Sequence, residues 1–396
     1  MKPLEGIKVL DFTHMLSGPT CTNVLSVMGA EVIKIERPEV GDPYRRYAGL
    51  EDLNPPFAVC NTGKKSVALD LKLPEAKAAI YRLAESSDIV VENFKPGATR
   101  GLGMDWPSLR KVNPRLIYCS ISGFGSTGTL RERSGLDQIV QAMSGIMWTA
   151  GEPSDGPVKI GFPVVDTFTG YMAATAILGA LQRRHVTGEG EFVDVAMLDC
   201  AIKLMAGTVS LALATGKAPE RTGPRGYREV ATADIYKTAD GYLSLGANQQ
   251  HMFDNFCKVV GREDLSRDPR FMSYPARVKN SPALRVILTE ILKDKSAVKL
   301  DAELAAAQVP AALVRDVFEI AADPHYGQRE LFSKVDIPGK PEPVTVLAAG
   351  FELESTELRP GPIPRLGEHT AEVLRNLGLD DAAIARVSGR PSPDPE

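Results

Sequence analysis

The sequence has few cysteines, and they lie far apart. The five are Cys21, Cys60, Cys119, Cys200 and Cys257, and none forms a CxxC pair. An odd number at wide spacings argues against a disulfide framework or a zinc site and fits a reducing compartment. The histidines show no HxxxH or HxH spacing either. We therefore expect a cytoplasmic protein without a metal site.

Long hydrophobic runs are also missing. The most apolar stretches, 172–181 and 205–214, are each about ten residues long, well short of the roughly 20 that cross a bilayer. The start, MKPLEGIKVLDF, lacks the apolar core of a signal peptide. The formal net charge is −4, so there is no overall basic field for nucleic acid. We expect a soluble protein without membrane or nucleic-acid partners.

Common catalytic signatures are absent, with one partial exception. There is no GxSxG elbow and no Walker A lysine. Residues 123–128 (GFGSTG) match the dinucleotide pattern GxGxxG by spelling. That pattern should open an apolar helix and be followed by an acidic residue about 20 positions on, and neither is found in the right context. The loop is better explained as glycines that let the backbone approach another ligand closely.

Short β-rich runs alternate with helical segments in the first half of the chain. The chain has 396 residues, of which 43% are hydrophobic and 24% charged, as in a globular protein with an ample core. The alternation predicts βαβ units and a parallel sheet. The predicted strands span 7–12, 31–36, 66–69, 89–92, 116–121 and 191–197, and the clearest early helices span 20–28 and 75–86.

Asp166 stands at the start of the most apolar predicted helix, 166–185. The helix is apolar on all sides, so we expect it to be buried. Asp166 is well placed as its N-cap, which is worth about 1 kcal/mol, and this explains most aspartates at helix starts. A catalytic role is also physically possible, because a helix N-terminus favours a carboxylate and the amides of 166–168 could stabilise an oxyanion. Spacing alone favours the cap.

The second half changes character. A second apolar helix is predicted near 198–215, and residues 216–230 are rich in Gly, Pro and Arg, which is typical of a linker or an active-site loop. Two runs, 233–237 and 242–245, flank the DG turn at 240–241 and predict a hairpin. Helical segments follow to about 330, then short β-like runs in 340–365 and a helix at 370–377.

Several segments in order resemble the class III CoA-transferases, the CaiB/BaiF family of formyl-CoA:oxalate and carnitine CoA-transferases. The resemblance covers nearly the whole chain, and several motifs together make it specific. They are LEGIKVLDFTHMLSGP, GAEVIKIERPEVGD, VENFKPG, SISGFGSTG, GLDQIVQAMSG, PVVDTFTGYMAATAILGALQRRHVTGEGEFVDVAM and LGEHT.

The resemblance implies a fold and a reaction. The fold is a doubly wound, Rossmann-like α/β large domain formed by both ends of the chain, with an inserted small α+β domain and an interlocked homodimer. We accordingly expect a large domain over 1–215, a linker over 216–232, a small domain over 233–330 and a return to the large domain over 331–396. The reaction is transfer of coenzyme A between carboxylic acids through covalent aspartyl intermediates. No permanently bound cofactor is implied, since CoA and acyl-CoA are substrates.

The same resemblance assigns residues. Asp166 matches the catalytic nucleophile. Arg100 and Arg133 each stand one position before the place where the family has a basic residue. Charged residues near strand ends would suit the phosphates of CoA, although ordinary surface charge is the alternative. The implied CoA contacts are Leu16, Arg37, Leu69, Lys72, Asn93, Phe94, Arg100, Arg133 and Met197, and the implied acyl-pocket or oxyanion residues are Tyr47, Gly123, Gly125 and Asp137.

Two questions remain open at this stage. The related α-methylacyl-CoA racemases use a His where this chain has Leu136, and inversion at the α-carbon needs a group on each face. Transfer is therefore favoured, with a racemase as the alternative. The acids themselves are open too. A dicarboxylate such as succinate would be neutralised by nearby arginines, unless these bind phosphate or solvent; the candidates are Arg45, Arg46, Arg225 and Arg228.

Overall fold

A computed structural model describes residues 1–49, 53–152, 154, 156–221, 230–337 and 341–389. They divide into two compact units. The first comprises 1–144, 161–209 and 324–396, and the second comprises 145–160 and 210–323. Residues 145–160 and 210–215, which we predicted in the large domain, thus lie in the second unit, and residues 324–330, which we predicted in the small domain, lie in the first. Within that unit the Arg221 guanidinium lies over the Trp148 ring, 5.0 Å from its centroid.

The first unit is built on a six-stranded sheet with the order β3-β2-β1-β4-β5-β6. All neighbouring pairs in this sheet are parallel. The order reverses between β1 and β4, which is the doubly wound arrangement, and the predicted fold class is confirmed. The strands are β1 (Lys8–Asp11), β2 (Glu31–Glu36), β3 (Lys65–Ala68), β4 (Ile89–Glu92), β5 (Ile117–Ser122) and β6 (Glu191–Ala196).

Helices cover both faces of this sheet. The sheet's strands are rich in Val and Ile, and side chains on both of their faces are buried. One face packs against α3 and the C-terminal helices, and the other packs against α1 and α8. The helices up to α8 are α1 (Ser17–Val27), α2 (Pro55–Asn61), α3 (Pro74–Ser86), α4 (Ala98–Leu102), α5 (Trp106–Leu109), α6 (Asp137–Ser144), α7 (Ile146–Thr149) and α8 (Val164–Thr187).

Helix α8 is not buried on all sides, contrary to the prediction. Its inner face, including Ala173 and Ile177, packs against α1 and the sheet, whereas Tyr171 and Val186 are exposed. The helix has the length and apolar composition of a membrane span, but a helix that packs along a sheet meets the same criteria. Its apolar character on the outer face therefore has a cause other than burial within this chain.

The predicted apolar helix near 198–215 is two helices. These are α9 (Met197–Leu204) and α10 (Ala206–Thr215), and their axes are bent by 75° at the break. Met205, between them, leaves the regular helical conformation with a ψ of 20°. Gly207 lies two residues beyond the break, but the apolar pattern continues across it, so the sequence indicated one helix.

The second unit carries a three-stranded antiparallel sheet, β7-β8-β9, in which the predicted hairpin forms the first two strands. Phe253, Phe256 and Phe271 are fully buried in its core. Its strands are β7 (Ala233–Lys237), β8 (Tyr242–Gly246) and β9 (Ala311–Leu313). Its helices are α11 (Gln250–Val260), α12 (Asp264–Arg267), α13 (Tyr274–Lys279), α14 (Ser281–Leu292), α15 (Ala297–Ala306) and α16 (Val317–Ala322).

The C-terminal residues return to the first unit. After α17 (Pro324–Gln328) come the antiparallel strands β10 (Phe332–Val335) and β11 (Val344–Leu347), then α18 (Thr370–Asn376) and α19 (Asp381–Ser388). The LGEHT segment joins the edge strand β3: the His369 N–H donates to the Ser66 carbonyl, the Gly367 N–H donates to the Ser66 hydroxyl, and Thr370 Oγ1 accepts from the Ala68 N–H. This motif therefore covers an edge of the sheet.

Candidate active site

The predicted site residues follow the carboxyl ends of all six strands of the parallel sheet. In doubly wound sheets ligands bind at this edge, around the point where the strand order reverses. Leu16 follows β1, Arg37 follows β2, Asn93 follows β4, and Met197 follows β6. The same edge carries Leu69 and Lys72 after β3, Phe94 and Arg100 after β4, and Gly123, Gly125 and Arg133 after β5.

Asp166 lies in the first turn of α8, but it is not the N-cap. The N-cap position is Pro163, which has no capping side chain, and Asp166 is the third residue of the helix. The predicted oxyanion donors of this turn are also occupied, because the Asp166 N–H donates to Asp137 Oδ2 at 3.1 Å and the Thr167 N–H donates to the Pro163 carbonyl. The side chain of Asp166 is therefore free of the capping role that sequence spacing favoured.

Asp137 supplies the missing cap. Its Oδ2 accepts the N–H groups of Val165, at 2.9 Å, and Asp166, while its Oδ1 accepts from Gln141 Nε2 at 2.6 Å. The carboxylate thus satisfies two amides at the start of α8 from 28 residues away in the sequence. We had predicted Asp137 in the acyl pocket or oxyanion site; its contacts are those of a helix cap.

The pKa of Asp166 is raised from 3.8 to about 6. Burial is the main cause, because a carboxylate removed from water favours its neutral form. The nearby Asp137 charge acts in the same direction, and the nearby Ser17 hydroxyl acts against both. At neutral pH Asp166 is therefore still an anion, and a poorly solvated one, which is the state in which a carboxylate is most nucleophilic.

The Gly123–Gly128 loop is held by close backbone contact and by Asp194. A Cβ on Gly123 would lie 2.7 Å from the Gly135 Cα, so the two backbones cross where a side chain has no room. Asp194 accepts from the N–H of Ser126 at 2.9 Å and from its hydroxyl at 2.6 Å. Because Gly135 lies two residues before Asp137, this crossing also places the cap of α8.

Asn93 joins the two loops at the point where the strand order reverses. Its Oδ1 accepts the His14 N–H at 2.9 Å, and its Nδ2 donates to the His14 carbonyl at 2.8 Å. The neighbouring Phe94 ring lies 5.6 Å from the His14 ring. The oxygen and the nitrogen of the Asn93 side chain are therefore both hydrogen-bonded within the protein. These bonds hold the loop that leads into α1.

The remaining predicted CoA contacts differ in exposure. Arg37, Lys72 and Arg100 are exposed, and Leu16 is half-buried. The exposed Arg133 guanidinium lies 5.7 Å from the Phe124 ring centroid, over the glycine loop. Leu69 and Met197 are buried, so neither is open to a ligand in this structure.

Arg45 belongs to a buried network of ion pairs beneath the site. It donates through Nε and Nη2 to both oxygens of Glu36 at 2.8 Å, and its guanidinium stacks on the Phe57 ring at 4.0 Å. The prediction that Arg45 neutralises a substrate carboxylate is therefore wrong, because Glu36 already neutralises it. Arg46 is exposed and donates to the Glu39 carbonyl. Arg225 and Arg228 lie outside the described residues, as does most of the 222–230 loop.

Two further buried pairs complete the network. Lys64 contacts Asp11 at 3.1 Å, and Lys34 contacts Asp42 at 2.9 Å. Asp42 also accepts the N–H groups of Met15 and Tyr44. Met15 has a φ of 65°, which is unfavourable for a residue with a side chain. The network thus holds a strained loop directly before Leu16 and Ser17.

Tyr47 lies on the 3-10 helix Pro43–Gly49 with Tyr44. The two rings meet edge-on with centroids 5.1 Å apart, and Tyr47 is half-exposed. Burial raises the pKa of Tyr44 to about 12, and the nearby Cys60, Tyr47 and Asp166 groups add to this. The Asp166 charge therefore acts on Tyr44, a residue that the sequence reasoning, which named only Tyr47, did not find.

Within the described ranges, no group of three or more His, Cys, Asp or Glu side chains could hold a metal ion. The cysteines are free and buried. These features define a doubly wound α/β protein whose candidate site contains one partly desolvated aspartate.

Comparison with known proteins identifies the family. The sequence profile of CoA-transferase family III matches residues 4–370. The succinate–glutarate CoA-transferase of Agrobacterium fabrum is 37% identical over 391 residues, which cover 95% of this chain and 96% of that protein. The succinyl-CoA:mesaconate CoA-transferase of Haloarcula hispanica is 36% identical over 395 residues, 96% of this chain and 97% of that protein.

A solved structure agrees with this match. The crystal structure of a CaiB/BaiF family protein from Brucella suis superposes with a TM-score of 0.85 at 36% identity, covering 95% of this chain and 99% of that one. The chain belongs to CoA-transferase family III, and the predicted family is confirmed. The protein is a CoA-transferase, which removes the racemase alternative.

Proposed function

We propose that this CoA-transferase moves coenzyme A from a dicarboxylyl-CoA, such as succinyl-CoA, to a second dicarboxylic acid, with Asp166 as the covalent nucleophile. The observation that carries the proposal is the state of Asp166: a largely buried carboxylate whose pKa is raised only to about 6. It is ionised at neutral pH, poorly solvated and free of the capping role in its own helix. A carboxylate in this state needs no general base.

The reaction is a double displacement. Asp166 attacks the thioester carbonyl of the donor, which gives a mixed anhydride and releases the CoA thiolate. The thiolate attacks the aspartyl carbonyl, which gives an aspartyl-CoA thioester and frees the donor acid. The acceptor carboxylate then attacks the aspartyl carbonyl and displaces the thiolate, which finally attacks the acceptor acyl group and restores Asp166. Each step exchanges one acyl bond for another, so the thioester energy is conserved.

The surrounding residues have separate roles in this scheme. We assign Arg37, Lys72, Arg100 and Arg133 to the phosphates of CoA, because they are exposed cations near the carboxyl ends of the strands. The amides of the Gly123–Gly125 segment are candidate oxyanion donors, in place of the occupied amides of α8. Tyr44 and Tyr47 are assigned to the acyl pocket, where their rings exclude the water that would hydrolyse an anhydride.

The choice of dicarboxylic acids rests on the relatives. Those named above act on succinate and glutarate and on succinyl-CoA and mesaconate. A third, from Chloroflexus aurantiacus and 34% identical, is a succinyl-CoA–D-citramalate CoA-transferase. All of these acids carry a second carboxylate. Arg46 and the arginines of the 222–230 loop remain the candidates to bind it, since Arg45 is paired.

The test uses purified protein with succinyl-CoA as donor and a panel of acceptors: glutarate, mesaconate, oxalate and, as a monocarboxylate control, acetate. We expect new acyl-CoA products with dicarboxylates and little with acetate. Asp166→Ala should abolish transfer and still bind CoA. Asp199→Ala is the matched control, because Asp199 is also an acidic residue in a first helical turn, but an exposed one.

A trapping experiment addresses the intermediate itself. Wild-type protein given succinyl-CoA without acceptor and then hydroxylamine should yield a hydroxamate at Asp166, detected by peptide mass spectrometry. Transfer by Asp166→Ala, or a label on another residue, would rule out the nucleophile.

We further propose a cytoplasmic homodimer. Buried free thiols suit a reducing compartment. The outer face of α8 carries exposed apolar side chains, and α10 exposes Leu211 and Leu213, which a second copy would cover. Size-exclusion chromatography with light scattering should give twice the mass of the 42.7 kDa chain; a monomer at micromolar concentration would contradict this.

A further inference from the structure

Met15 has a backbone conformation that residues with side chains rarely adopt. Its φ is 65°, in the left-handed region, where the Cβ of an L-residue is crowded by the backbone and glycine is not. Its side chain is also 37% exposed and belongs to none of the apolar clusters that the described residues form. On stability alone, glycine would therefore be the better residue at position 15.

The strained conformation is held by a buried polar network under this loop. The Met15 N–H donates to Asp42 Oδ1 at 3.0 Å, and Asp42 pairs with the fully buried Lys34 at 2.9 Å. The N–H and the carbonyl of His14 are both hydrogen-bonded to the side-chain amide of Asn93. The backbone leading into Met15 is therefore fixed by several partners at once, which is how a strained conformation persists in a folded protein.

The loop lies where a doubly wound sheet binds its ligand. It follows β1, one of the two strands between which the strand order reverses, and Asn93 ties it to the end of β4, the other strand. Strain that a fold maintains is concentrated at functional sites. An exposed thioether chain at this crevice suits a ligand with methylene groups, because methionine adapts its shape to apolar surfaces. An acyl-CoA presents methylene groups in its pantetheine arm and in the acyl chain.

We propose that Met15 is a substrate contact, whose side chain packs against the methylene groups of the bound acyl-CoA. The inference rests on the proposed function, because the ligand is taken to be an acyl-CoA. The strained φ presents the side chain at the crevice, and the Lys34–Asp42 pair keeps the loop in place before the ligand arrives. Binding then covers apolar surface that the free protein exposes, without a further cost of ordering the loop.

The first experiment measures binding without turnover. In the Asp166→Ala background, calorimetry gives the Kd of CoA and of succinyl-CoA with Met15 unchanged, with Met15→Leu and with Met15→Ala. Alanine keeps the strain and removes most of the side chain, so it should weaken succinyl-CoA binding about fivefold. Leucine has a similar volume and should bind to within about twofold of the unchanged protein.

The same data identify which methylene groups Met15 contacts. An equal weakening of CoA binding by Met15→Ala assigns the contact to the pantetheine arm. Unchanged CoA binding, with weakened succinyl-CoA binding, assigns it to the acyl chain. Equal affinities of all three proteins for both ligands would overturn the proposal.

Glycine separates the strain from the contact. Met15→Gly removes both, so it should raise the melting temperature by roughly 1–2 °C while kcat/KM for succinyl-CoA falls about fivefold, as in Met15→Ala. A residue with a purely structural role would lose stability and activity together. Gln308→Gly is the matched control, because Gln308 is exposed just after α15 with a φ of 56°. It should gain stability and keep the wild-type kcat/KM.

Two further results would overturn the role of Met15. One is a Met15→Gly protein with wild-type kcat/KM. The other is a Met15→Ala protein that loses the dimer mass in light scattering but keeps its affinity for succinyl-CoA, because a second copy of the chain would then cover Met15. Absence of transfer in the wild type would instead overturn the proposed function, and the binding measurements would still decide whether Met15 contacts acyl-CoA.

Discussion

Asp137 Oδ2 accepts the backbone N–H of Asp166 at 3.1 Å, while the charge of the same carboxylate raises the pKa of the Asp166 side chain. Asp137 thus caps the first turn of α8 and also makes Asp166 a stronger base than an ordinary aspartate. The Asp137 carboxylate therefore affects both the position of the Asp166 backbone and the pKa of its side chain. Substitutions of Asp137 can separate these two effects.

Transfer should depend on pH through the ionisation of Asp166. Its pKa of about 6 means that the reactive anion is lost as pH falls through that value. We expect kcat/KM to be half-maximal near pH 6 and to fall roughly tenfold for each further unit of acid. Initial rates between pH 5 and 8 would measure this. A flat profile over that range would contradict an ionised Asp166 as the nucleophile.

Asp166→Asn should stabilise the protein at neutral pH. The folded pKa is raised above its ordinary value, so the favourable contribution of protonated Asp166 is fully present below pH 3.8 and is lost as pH rises through about 6. Asparagine does not titrate. The free energy of unfolding that Asp166→Asn gains over the wild type should therefore be small near pH 4 and reach at most about 3 kcal/mol above pH 7. Denaturant unfolding at several pH values would measure it; an equal effect at pH 4 and pH 8 would contradict the raised pKa.

The two roles of Asp137 should separate between two substitutions. Asp137→Asn keeps an oxygen that accepts the N–H groups of α8 but removes the charge. The acid limb of the kcat/KM profile should therefore move to lower pH, with little loss of stability. Asp137→Ala removes the cap as well and should destabilise the protein by about 1 kcal/mol. Thermal unfolding and pH profiles of both variants give the comparison. Identical behaviour of the two would show that Asp137 acts through charge alone.

Gly170→Ala should disrupt the crossing of α1 and α8. The added Cβ would meet the Ser17 carbonyl at 2.7 Å, and overpacking of this kind typically destabilises by about 1–3 kcal/mol. Gly179→Ala is the control on the same helix, because nothing lies within 4 Å of its added Cβ. Alanine favours the helix, so this variant should equal or exceed wild-type stability. Similar losses of stability in Gly170→Ala and Gly179→Ala would contradict a close crossing of α1 and α8.

The sheet could be predicted from the sequence because its signals are local. β2 and β4 have the predicted bounds, since each is rich in Val and Ile and is buried along nearly its whole length. Because the strands were predicted correctly, the predicted CoA contacts also lie near the carboxyl ends of the strands. Asp166 as the central residue came from the family motifs and not from spacing, which favoured a cap.

The errors and omissions come from long-range contacts. Asp137 caps a helix that begins far along the chain, and no local pattern marks that partner. Arg45 was misassigned because its partner, Glu36, meets it only after β2 and the 3-10 helix fold together.

The docking of LGEHT on β3 has a consequence for synthesis of the chain. β3 is complete after residue 68, yet its outer edge finds its partners only in residues 366–370. On the ribosome, β3 therefore emerges about 300 residues before the segment that covers its edge. During that interval an open strand edge is available to any other nascent chain. Residues 366–370 are therefore needed to cover this edge, and a chain that stops before them would keep the edge open and be prone to aggregation.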